Sequence, residues 1–381
     1  MPKTRNTETN TNRYRELIYQ LFDIVKGERR FIILTAVLFL IAGIVYPYTP
    51  IAMWFGFLLA AYSAVSNDSI QTIGTFIASN ADRKWYVLWL YIAGIFLVTV
   101  TIGWFINDGD VSYGRLQGLD DSGELAFPQP DSFAFLQIAA PIFLLVLTRL
   151  RMPVSTTFLL LSSFAVSPGA VGSIVTKSIN AYFLAFVLGL GVWLLISRLT
   201  TRYFKGKPAQ WWVVAQWITS GCLWSVWIMQ DAANVAIYLP RSLNLVEFLG
   251  FSATVFFGLG LIFFMRGDKI QEIVNEKSEV RDIRSATLID FVYAMVLVYK
   301  LTISVIPMST TWVFIGLLGG RELGIRVMEK VKGKTKKRRI TEALIMIGRD
   351  LGLAVIGLIV SVIIATSVNP DFRDELLRLL E

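Results

Sequence analysis

Two aspartates stand in apolar surroundings, each beside side-chain amides, and each is followed further along by a Ser-Thr-Thr triplet. The first set is Asn67-Asp68 with Gln71, then Pro153-Val154-Ser155-Thr156-Thr157. The second is Gln230-Asp231 with Asn234, then Pro307-Met308-Ser309-Thr310-Thr311. A carboxylate inside a membrane is costly and marks a functional site by default. A lone Ser-Thr-Thr in a membrane helix most often packs or bonds back to its own turn. Here the same order occurs twice, which a packing explanation does not account for.

The chemistry of each half follows from its atoms. Asn67, Asp68 and Gln71, like Gln230, Asp231 and Asn234, offer hard oxygen donors of the kind that bind Na⁺. Such polar density within an apolar run predicts an interrupted helix whose freed carbonyls complete the cation shell. Pro-x-Ser-Thr-Thr is a helix-start pattern: proline suits the first turn, and a hydroxyl caps free N–H groups. A helix N-terminus in a low-dielectric site attracts anions. Two such termini, meeting near the membrane midplane, would hold a tetrahedral oxyanion through Ser155, Thr156, Thr157, Ser309, Thr310 and Thr311. Cations at Asp68 and Asp231 would offset its charge.

The elements that must position these groups are membrane spans. The chain is 55% hydrophobic and only 17% charged, with mean hydropathy +0.59. Runs such as 31–48, 85–106 and 351–368 are long enough to cross a bilayer. The fold class is therefore an all-α polytopic membrane protein. With the N-terminus inside, the basic clusters at Arg83-Lys84, Arg149/Arg151, 198–207, 266–284 and 326–339 all fall on the cytoplasmic side. The acidic loop 107–132, whose one base is Arg115, and the acidic tail fall outside.

That layout contains one leading span and two groups of five crossings. An odd number per group makes the halves two inverted-topology repeats, each with a broken helix or a re-entrant hairpin at its Ser-Thr-Thr element. The divisions expected are a 1–30 cytoplasmic tail, an extra N-terminal span at 31–50, a first repeat at 51–200, a basic linker at 201–210, a second repeat at 211–368, and a 369–381 tail. Tyr14–Val25 reads as an amphipathic helix on the membrane surface. The protein is placed in the cell (inner) membrane.

Other classes are disfavoured. The net charge of +8 sits in short loops and reports topology, so no nucleic-acid partner is read. The single cysteine, Cys222, forms no intrachain disulfide, and there is no histidine. No cofactor is expected, and neither a metal cluster nor a nucleophile with its base is present to support an enzyme.

At these residues the chain resembles the inorganic phosphate transporter (PiT) family. Its pattern is Gly-Ala-Asn-Asp-x-Ala-Asn-Ala-x-Gly in each half, followed by Gly-x-Pro-Val-Ser-Thr-Thr-His. Asn67-Asp68 with Gly74-Thr75, and Asp231-Ala232-Ala233-Asn234, match the former; Pro153–Thr157 and Pro307–Thr311 match the latter apart from Met308. The resemblance spans about 51–368 and leaves the leading span outside it. It implies a cation-coupled symporter in which both aspartates lie at cation sites and the triplets bind the anion.

Gln71 and Gln230 replace asparagines of the pattern, Ile237-Tyr238 stand where Gly-Pro is usual, and Phe158 and Trp312 replace the two histidines. The expected function is therefore symport of an inorganic oxyanion, most of all phosphate, with Na⁺ as coupling ion. Sulfate or another oxyanion coupled to H⁺ is the alternative, as is a channel or sensor on the same scaffold. A homodimer is compatible with the sequence.

Overall fold

Long apolar stretches broken by short charged or Gly/Pro-containing loops leave the backbone little choice in lipid except helix. The computed structural model describes residues 28–119, 123, 125–150, 152, 154–203, 206–265, 283–328 and 335–370, with 373–374 and 377–378. The helices in order are α1 (28–45), α2 (Thr49–Thr72), α3 (Gly74–Ser79), α4 (Trp85–Ile106) and α5 (Phe135–Arg149). A short segment follows, a wide π-type turn at Thr157–Leu161 tightening into a 3-10 turn at Ser162–Phe164. Then come α6 (Pro168–Tyr203), α7 (Trp211–Ala236), α8 (Leu245–Phe264), α9 (Ile283–Ile303), α10 (Thr310–Met328) and α11 (Lys336–Val368).

Among the described residues, seven helices are long and apolar enough to cross a membrane: α2, α4, α6, α7, α8, α9 and α11. Helix α5 is apolar but shorter. Leu40, Phe105, Phe257 and Ile345 are exposed on the perimeter, as lipid-facing side chains must be, while Asp68, Asp231 and Asp290 are buried within the bundle. The usual inside-out distribution of a soluble protein is thus reversed around a polar centre.

Contacts fix the helix directions. Gly56 lies against Tyr238 and Phe76 against Trp217, so α2–α3 runs antiparallel to α7. Trp85 meets Phe264 and Trp104 meets Phe248, so α4 and α8 are antiparallel as well. Helix α2 runs parallel to α5, with Gly56 beside Ile138 and Asn67 bonded to Thr148. Helices α7 and α9 are likewise parallel: Ser220 bonds Asp290, and further along Gln230 and Lys300 line one cavity.

Helix α10 lies along α6 in the same direction, and the two approach backbone to backbone. A Cβ at Gly316 would run into the Tyr182 carbonyl oxygen, and one at Gly320 into that of Phe186. At Gly189 it would stand 2.6 Å from the Leu317 oxygen. Small residues allow this approach, which is how membrane helices gain contact without a hydrophobic driving force. Gly320→Ala is expected to cost about 1–3 kcal/mol through overpacking, seen as a lower melting temperature in detergent. Gly348→Ala, in α11 with open space around it, is the control and should be neutral or slightly stabilising.

The structure departs from the sequence expectation at two helices. Helix α2 passes unbroken through Asn67-Asp68 and interrupts only at Ile73, one turn later. The interrupted helix expected at the aspartate is therefore displaced. Helix α6 is one rod from Pro168 to Tyr203, where the sequence divided it near residue 180. The surface helix expected at Tyr14–Val25 and most of the 266–284 loop lie outside the described residues.

Candidate functional site

Each triplet divides its labour in the same way. Ser155 accepts a hydrogen bond from the backbone N–H of Phe158 (3.1 Å), and Ser309 accepts one from Trp312 (3.2 Å). The serines are therefore helix caps, satisfying first-turn donors that the helix itself leaves free. Thr156 donates to Asp68 Oδ2 at 2.6 Å, and Thr310 donates to Asp231 Oδ2 at 2.5 Å. The first threonine thus binds the aspartate of its own half.

The second threonine crosses over. Thr157 Oγ1 lies 3.3 Å from both Asp231 Oδ1 and the Met308 carbonyl oxygen, and Thr311 Oγ1 lies 3.5 Å from the Val154 carbonyl oxygen. Val154 and Met308 hold the same place in the two triplet motifs, so the exchange is reciprocal. All six triplet residues are buried.

The amides complete the setting. Asn67 Nδ2 donates to Asp68 Oδ1 (2.8 Å) and to the Val154 carbonyl (3.0 Å). Gln71 Nε2 reaches Asp68 Oδ1 only at 3.5 Å, and Asn234 Nδ2 donates to Asp231 Oδ1 at 2.8 Å. Because Asn67 finds partners across the bundle, it does not compete for its own backbone, and α2 has no reason to unwind there. Gln71 Oε1, Asn234 Oδ1 and both amide atoms of Gln230 are buried without a hydrogen-bond partner among the described residues. Buried polar atoms are normally satisfied, so these mark where a ligand oxygen or a cation would be accepted. The structure thus brings every residue expected at the site into one region, with Gln230 turned toward a neighbouring cavity.

The two residues that follow the triplets meet each other: Phe158 and Trp312 pack edge to face, centroids 5.5 Å apart at 87°. One wall of the site is aromatic.

Two further groups escaped the sequence reading. Asp290 in α9 is buried and accepts from Thr75 (2.6 Å) and Ser220 (2.5 Å). Through Ser220 it connects to Gln216 (3.1 Å) and on to Asn80 (2.9 Å). The signal was present, since Asp290 is an acid inside an apolar run, but it has no motif beside it. Arg115 in the 107–132 loop is buried and donates to the carbonyls of Leu301 (3.3 Å), Ser304 and Val305 (3.1 Å). It caps the C-terminal end of α9, where a cation is favoured. Burial pushes its guanidinium down to about 10, opposed by the Asp231 carboxylate. Its signal was being the one base of an acidic loop.

The fold and site define a polytopic α-helical membrane protein with a buried, internally paired polar centre. A search of solved structures returns a chain described as the sodium-dependent phosphate transporter, with a TM-score of 0.50 and 19% identity. The match covers 83% of this chain and 98% of that one. At that identity the likeness shows the fold alone. No family model matches the chain, and neither does any curated protein sequence.

Proposed function

We propose that the protein is a secondary active transporter that carries an inorganic oxyanion, most of all phosphate, in symport with Na⁺. The observation that carries this reading is the reciprocal arrangement of the two triplets around the two buried aspartates. The likeness in fold to a sodium-dependent phosphate transporter supports it.

The geometry also supplies a coupling rule. Thr156 and Thr310 each have one hydroxyl proton, and each gives it to an aspartate. A cation at Asp68 or Asp231 would replace that donor. The released hydroxyl could then turn its proton to an oxyanion oxygen, joined by the first-turn N–H groups of the two helices. Cation binding thereby creates the anion site, and neither ligand needs the other to touch it. Alternating access would come from one part of an inverted repeat moving against the rest. The antiparallel pairs α2/α7 and α4/α8, with α2 parallel to α5 and α7 parallel to α9, support that repeat.

Uptake of labelled phosphate and labelled sulfate into proteoliposomes, with and without a Na⁺ gradient, tests the reading. Phosphate uptake driven by Na⁺ is expected; single-channel current independent of any coupling ion would replace it with a channel. Orientation is testable separately. In a Cys222→Ser background, Gln117→Cys, exposed in the 107–132 loop, should react with an impermeant maleimide from outside. Lys336→Cys, exposed at the start of α11, should react only from inside. Equal access to both from outside would refute the topology.

A further inference from the structure

A cavity of about 200 Å³ lies beside the paired triplets, lined in part by Lys177, Asn180, Gln230, Lys300, Ser304 and Met308. Two lysines and no carboxylate face it. Its inner end adjoins the site at three points. Gln230 precedes Asp231 on α7, so the two side chains leave the helix on different faces. One turns to this cavity and the other to the triplets. Met308 lines the cavity, while its carbonyl oxygen lies 3.3 Å from Thr157 Oγ1. Ser178, next to Lys177, accepts the backbone N–H of Ser309 at 2.8 Å. The side chain of Met308 is thus the partition between the cavity and the hydroxyl cluster.

Gln230 is 1% exposed, and neither its Oε1 nor its Nε2 has a hydrogen-bond partner among the described residues. An amide so buried is costly unless something in the cavity completes it. Its Nε2 can donate to an anion oxygen, and the two ammonium groups set the sign of the ligand. A cleft lined by one sign of charge, with low-dielectric walls, concentrates ions of the other sign. A cation would be repelled there, whatever the amide oxygen offers.

We infer that this cavity is a receiving chamber for a phosphate-type oxyanion, held by Lys177, Lys300 and Gln230 before it passes Met308 to the triplets. The inference rests on the function proposed above and assigns a second, earlier anion position to it. The C-terminal end of α9, whose carbonyls Arg115 caps, forms part of the chamber wall, so the chamber opens on the side where the 107–132 loop lies. The same chemistry would accept the phosphate of a lipid headgroup, and the test separates the two sources.

Uptake of labelled inorganic phosphate is measured in proteoliposomes of neutral phosphatidylcholine and of anionic lipid, at low and high ionic strength. K177Q/K300Q should raise the half-saturation concentration about tenfold or more at low ionic strength and flatten its salt dependence. Lys300→Arg, which keeps the charge, should restore much of the loss. An effect seen only in anionic lipid would give the lysines to lipid headgroups and overturn the chamber. Unchanged half-saturation in the double variant would overturn it too, while oxyanion transport stood.

A second measurement needs no transport. Ser304→Cys in a Cys222→Ser background should be modified by an impermeant maleimide more slowly in the presence of inorganic phosphate. That protection should vanish when K177Q/K300Q is added. Protection without any uptake would sustain the chamber and sink the transport function; no protection would sink the chamber.

Discussion

Asp68→Asn and Asp231→Asn should each abolish the stimulation of oxyanion uptake by Na⁺. Each carboxylate is buried and accepts a threonine hydroxyl and an asparagine amide. An amide in its place presents one donor where an acceptor is required, and it removes the charge that makes a cation site. Hydrogen bonds to a charged acceptor are worth about 1.5–3 kcal/mol each, so the structural cost is noticeable. Folding therefore has to be checked in the same samples. In the native protein, Na⁺ should raise the melting temperature in detergent, as any ligand of the folded state does, and each variant should lose that rise. A mere shift of pH optimum in either variant would point to proton carriage. Uptake that runs equally well in Na⁺-free choline buffer under an imposed pH gradient would sink the Na⁺ assignment and leave the oxyanion assignment standing.

The second large effect belongs to the threonines. Thr156→Ala with Thr157→Ala, leaving the capping Ser155 in place, should weaken phosphate half-saturation at least about tenfold. The loss of one hydroxyl donor to a charged acceptor already exceeds the roughly 1.4 kcal/mol that a factor of ten requires. Thr310→Ala with Thr311→Ala should do the same. Because Thr157 lies beside Asp231 of the other half, the first pair should also disturb the cation response governed by Asp231. Wild-type affinity in both double variants would place the anion elsewhere.

Sequence alone exposed the four motifs, because residue type and order carry them. It also exposed most long helices, because apolar runs in lipid have few alternatives to helix. It could not show which threonine stays home and which crosses. That depends on α2 and α7 lying antiparallel, which brings Thr157 to Asp231. The continuity of α6 was hidden for a related reason. Its polar stretch at Ser178–Asn180 looks like a gap, but Ser178 bonds back to the Ile174 carbonyl at 2.7 Å and forward to Ser309, so the helix carries on. Asp290 stayed hidden because its partners, Thr75 and Ser220, come from two other helices. Arg115 stayed hidden because the carbonyls it caps are far along the chain.

The glycine seam between α6 and α10 has a mechanical consequence. Two rods in backbone contact, with no side-chain cushion between them, cannot slide past one another without a collision at Gly316 or Gly320. Arg321 over the Trp193 ring, 5.1 Å from its centroid, clamps the far end. Ser178 on one rod grips Ser309 at the head of the other. The two rods therefore behave as a single lever with the second triplet mounted at its head. Any stroke that opens the polar centre first to one side and then to the other has to carry that lever whole, with the bending left to the joints at Ile73 and at 165–167.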